Sequence, residues 1–79
     1  MRYEVRVQLK SDVLNVEAKE VLSAIKSQGF AFVKDLQTSK VFILEVQDGT
    51  TIEQVAKIAK EILTNEVIEK FSIKLSNDA

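Results

Sequence analysis

From Tyr3 to Lys10 the chain alternates without a break, with Tyr3, Val5, Val7 and Leu9 on one side and Glu4, Arg6, Gln8 and Lys10 on the other. A period of two is that of a strand with one buried and one wet face. Such a sheet needs cover on its apolar side, so amphipathic helices are expected elsewhere in the chain. Two are present. Asn15 is a capping residue ahead of Ala18, Val21, Leu22 and Ile25, which recur at helical spacing, and Gly29 supplies the stop. A second helix is predicted after the Asp48-Gly49 break, with Thr50 and Glu53 as a capping box. Its buried stripe is Ile52, Val55, Ala56, Ala59, Ile62 and Leu63, and Asn65 is a candidate left-handed stop.

Between the helices, residues 33–38 and 40–47 read as two strands of a hairpin that turns near Ser39. Phe71, Ile73 and Leu75 alternate with Lys70, Ser72 and Lys74 in a last strand. The order strand, helix, strand, strand, helix, strand is the split βαβ arrangement. It predicts a single α+β, ferredoxin-like domain over residues 1–79, with a four-stranded antiparallel sheet and two helices on one face. A two-residue turn at Ser39-Lys40 sets Val33 opposite Val46, Leu36 opposite Ile43 and Thr38 opposite Val41. Phe42, Leu44 and Val46 then face the helices, whereas Leu36, Val41 and Ile43 face the bare side. Scattered surface apolar residues are the ordinary reading of such a trio. The sharper reading is a subunit interface, because burying three such side chains contributes roughly 4 to 9 kcal/mol before the costs of association.

Composition narrows what the domain can do. With no Cys and no His, disulfides, thiolate and imidazole metal sites and a His-activated serine are all excluded. Gly29 and Gly49 stand alone, so there is no phosphate-cradling loop. Acidic residues fall on solvated helix faces or at element ends, and no pair of carboxylates is set apart for acid-base work. Charges of both signs are scattered to a net of -1, which argues against nucleic acid, and residues 40–46 lack the stacking aromatics of an RNA-recognition sheet. The N-terminus has no unbroken apolar run, so neither a signal peptide nor a membrane span is predicted, and a cytoplasmic location is expected. Size adds one more constraint: a domain this small buries only about 60% of its unfolded surface. Self-association, as a dimer or tetramer, is the expected support.

Several short blocks together carry a family resemblance: Leu9-Lys10, Val13-Leu14-Asn15, Gly29-Phe30 at the helix end, Lys40 after the turn, and Asn65-Glu66-Val67-Ile68-Glu69. At these spacings the chain resembles the PurS family, the small subunit of phosphoribosylformylglycinamidine synthase. It departs from that pattern where Asp12, Ser39, Val16 and Glu66 stand for two glycines and two prolines respectively. Ser39 matters most, because a primed hairpin turn favours Gly or Asn. The resemblance implies a non-catalytic subunit that joins a large synthetase subunit, the holder of ATP and magnesium, to a glutaminase subunit in purine biosynthesis. No catalytic, cofactor-binding or metal residue carries over to this chain. The topology alone also admits an amino-acid-sensing module of the ACT type, although Asp12 stands where such a module would use glycine. An acylphosphatase-type enzyme would need an arginine and an asparagine around a phosphate loop, and residues 10–15 do not supply it.

Overall fold

The alternating N-terminal segment is the central strand. In the computed structural model, which describes residues 1–76, β1 (Arg2–Leu9) lies between β2 (Ser39–Glu45) and β3 (Glu69–Ser76), antiparallel to both. Val5 is opposite Phe42 on one side and Ile73 on the other, so these apolar residues of the three strands share a face. On that face sits α2 (Ile52–Ile58), continued by a π-helical turn (Ala59–Leu63). Val5, Val55 and Ala59 are fully buried, Tyr3 and Val7 nearly so, and Phe42, Leu44, Phe71 and Ile73 close the cluster.

Two expectations about the sheet are corrected. It has three strands, not four, because residues 33–38 pair with no strand and the chain enters β2 with no turn or bend between 33 and 45. Turn chemistry explains this: Ser39-Lys40 offers neither Gly nor Asn, so a tight primed turn has no residue suited to positive φ. Only glycines occupy that region among the described residues. The helices also do not both cover the sheet. α1 (Val16–Ser27) contributes nothing to the core cluster, and its one buried residue is Ala18.

Helix ends follow local chemistry. The Asn15 side chain accepts from the Ala18 N–H at 3.0 Å, the cap read from the sequence. At the other end Gly29 has φ +95°, the Phe30 N–H donates to the Ile25 carbonyl and the Gly29 N–H to that of Lys26, which makes a Schellman stop. The capping box of α2 lies one residue later than expected, on Thr51 and Gln54. Thr50 is already engaged, giving both its N–H and its hydroxyl to the Gln47 carbonyl across the Gly49 turn. Asn65 is not left-handed; its side chain accepts from the Val67 N–H and its carbonyl from Ile68 and Glu69. The π-helical turn corrects the stripe as well. Wider winding rotates less per residue, which swings Leu63 toward the core and leaves Ile62 75% exposed.

The outcome is an extended subunit. Its radius of gyration is 15.9 Å and its extents are 49 × 31 × 13 Å, against a radius of about 12 Å for a compact domain of this length. Stability therefore rests on the small cluster over β1. Val55→Ala is expected to lower unfolding free energy by about 2 kcal/mol, and Val67→Ala, at an exposed site, by less than about 0.5 kcal/mol. Urea unfolding followed by circular dichroism checks the pair.

Candidate interaction surface

The face of the sheet turned away from α2 is mixed in character. Glu4, Arg6 and Gln8 of β1 run down its middle, and Ser72, Lys74 and Lys70 of β3 stand opposite them. On the β2 side, Ile43 is opposite Glu4 and Val41 is opposite Arg6. Val41 is 46% and Ile43 58% exposed, so these two apolar side chains form a strip along one edge of an otherwise polar surface. At the end of the sheet, the Arg2 guanidinium pairs with Glu45, its Nε donating to Oε1 at 2.6 Å. Solvent-exposed pairs like this contribute little stability, but this one pins the ends of β1 and β2 together.

The three residues singled out from the sequence do not converge. Val41 and Ile43 share the open face, whereas Leu36 lies in the unpaired segment and lines a cleft with Leu9 and Ala18. This cleft, of about 520 Å³, lies between α1 and residues 35–38, with Lys10, Asn15 and Lys70 also on its walls. Asn15 joins its two sides: the same side chain that caps α1 donates from Nδ2 to Thr38 Oγ1 at 3.0 Å. Sequence reasoning found the cap and missed this second contact, since nothing in the spacing of residues 15 and 38 predicts their meeting. Among the described residues, no group of three or more His, Cys, Asp or Glu side chains is placed to hold a metal ion. No helix among them is long and apolar enough to cross a membrane.

Comparison with known proteins decides between the readings that topology leaves open. The family described as "PurS: Phosphoribosylformylglycinamidine (FGAM) synthase" matches residues 2–77. The chain belongs to the PurS family. PurS is a subunit of phosphoribosylformylglycinamidine synthase, a ligase complex of purine biosynthesis. The PurS subunit of this synthase from Archaeoglobus fulgidus is 33% identical over 73 residues, covering 89% of this chain and 91% of the relative. The crystal structure of Methanocaldococcus jannaschii PurS superposes with a TM-score of 0.87 at 30% identity, over 99% of this chain and 98% of that one. A chain in the structure of PurLQS from Thermotoga maritima shares the fold, with a TM-score of 0.75 at 22% identity over 92% and 93% of the two chains.

The double role of Asn15 is open to test. Asn15→Ala is expected to destabilise the chain by about 1 kcal/mol through loss of the cap. Asn15→Asp keeps the acceptor for α1 and loses only the donor to Thr38, so its effect should be less than half as large. Thermal or urea unfolding of both variants measures the difference.

Proposed function

We propose that this chain is the bridging, non-catalytic subunit of a three-part synthase, holding a large synthetase subunit and a glutaminase subunit together in the cytoplasm. The observation that carries the reading is the PurS match over residues 2–77, nearly the whole chain. The Methanocaldococcus jannaschii relative is described as one of the subunits of formylglycinamide ribonucleotide amidotransferase, and the Thermotoga maritima neighbour occurs in PurLQS. Chemistry supports the division of labour. Releasing ammonia from glutamine by a thiolate requires a cysteine, and this sequence has neither Cys nor His. In this reading ATP and magnesium belong to the large subunit, and residues 1–79 act as a single domain whose work is contact.

The contact residues proposed are Leu36, Val41 and Ile43, with a second copy of the chain as the first partner. Val41 and Ile43 offer an apolar strip beside the charged rows of β1, and Leu36 offers an apolar wall to the cleft. Removing such side chains from water favours association, and the surrounding charges set orientation. Ile43→Glu is expected to weaken self-association at least tenfold, by placing a charge in the desolvated patch, whereas Lys34→Glu at an exposed position changes it little. Sedimentation equilibrium of the two variants checks this, and equal effects would count against the patch.

The bridging role has its own test. The chain alone should show no synthase activity. Mixed with the synthetase and glutaminase subunits at saturating ATP and ribonucleotide, it should be required for glutamine-driven turnover and dispensable for turnover driven by added ammonia. Full glutamine-driven turnover in its absence would sink the bridging role.

A further inference from the structure

Little holds α1 to the rest of the subunit. It adds nothing to the core cluster and buries only Ala18, and its cap Asn15 reaches across to Thr38 by one hydrogen bond of 3.0 Å. At that junction lies the cleft of about 520 Å³, a volume within the range of small-molecule sites. Three elements each bring a lysine to its walls: Lys10 follows β1, Lys19 is on α1 and Lys70 is on β3. None of the three forms an ion pair among the described residues. Of the two carboxylates on the same walls, Asp35 accepts the N–H of its neighbour Leu36 through Oδ1 at 2.8 Å, and Asp12 is exposed. Like charges lining one cleft repel one another, and an anion between them turns that cost into attraction.

The donors indicate the kind of anion. A planar carboxylate is matched by the fork of an arginine, and no arginine lines the cleft. Lysines are point charges that approach from separate directions, which suits a tetrahedral phosphate. Asn15 and Thr38 add uncharged polar atoms, and Leu9, Ala18 and Leu36 add an apolar wall against which the rest of an organic ester can lie. We propose that the cleft binds a small phosphate monoester, with Lys10, Lys19 and Lys70 holding the phosphate, and that the bound ligand clasps α1 to the sheet. Because the lysines stand on both sides of the junction, occupation fixes the position of a helix that the core leaves loosely attached. This site would place the subunit under small-molecule control, and it does not rest on the bridging role. It shares only Leu36 with the self-contact offered above, so a second copy of the chain is the competing occupant.

Titration of the full chain with glycerol phosphate at constant ionic strength, followed by amide NMR and calorimetry, tests the site. Saturable shifts are expected at residues 8–15, at residues 35–38 and at Lys19 and Lys70, with none on addition of glycerol and weaker ones with succinate. Lys10→Gln and Lys70→Gln should each weaken binding about tenfold, the loss expected for one hydrogen bond to a charged group. Lys57→Gln, exposed on α2 and away from the cleft, should leave it unchanged. Should Lys10→Gln disturb the end of β1, the exposed Lys70→Gln carries the test alone. Inorganic phosphate should bind more weakly than the ester, and the reverse order would overturn the organic ligand. No saturable shift at millimolar glycerol phosphate, or an equal loss in Lys57→Gln, would overturn the site. Cleft shifts that follow dilution of the chain rather than addition of phosphate would also overturn it, by showing a second copy in the cleft.

Discussion

Everything in this subunit hangs on the contact between β1 and α2. Val5 and Val7 of the central strand share one buried cluster with Val55 and Ala59, and among the described residues no other part assembles a comparable set of fully buried side chains. Because β1 is hydrogen-bonded on both sides, burying its apolar face fixes the register of β2 and β3 together. A one-residue slip would exchange the apolar and charged faces of a whole strand. Ala59 is fully buried in the same cluster, and Phe42 and Phe71 pack against it.

What the core does not include is as important. α1 has proper ends, with an asparagine cap and a Schellman stop, so local interactions suffice to define its limits. Its apolar stripe is nevertheless left largely uncovered, with Ala18 buried and Val21 exposed. A subunit with well-formed elements and uncovered apolar surface is suited to assembly. Membership of the PurS family gives that tendency a setting, for the chain is a subunit of a ligase complex.

Much of this was legible in the residues. Alternation at Tyr3 to Leu9 and at Phe71 to Leu75 placed two strands, and Asn15 and Gly29 bounded α1 correctly, because each signal acts over one turn or one strand. Period two also sets Phe42 and Leu44 on the face opposite Val41 and Ile43, but the strand is apolar on both faces, and its pairing with β1 is what turns Phe42 and Leu44 inward. Where two local signals competed, the sequence could not arbitrate. Thr50 and Thr51 both have a capping partner three residues on, and only the turn over Gly49, which engages Thr50, decides for Thr51.

The sequence by itself therefore determined the strands β1 and β3 with their inward faces, the ends of α1, the absence of a thiolate or imidazole, and the family. Tertiary structure alone decided that residues 33–38 stay unpaired, that Leu36 joins the cleft of Asn15 and Lys10 rather than the strip of Val41 and Ile43, and that the π-helical turn turns Ile62 outward. The physical reason is range. Caps, stops and alternation are settled among residues a few positions apart, whereas hairpin closure weighs a turn's backbone cost against pairing along two whole strands. At Ser39-Lys40 that balance falls against closure, and pattern alone gives no measure of it.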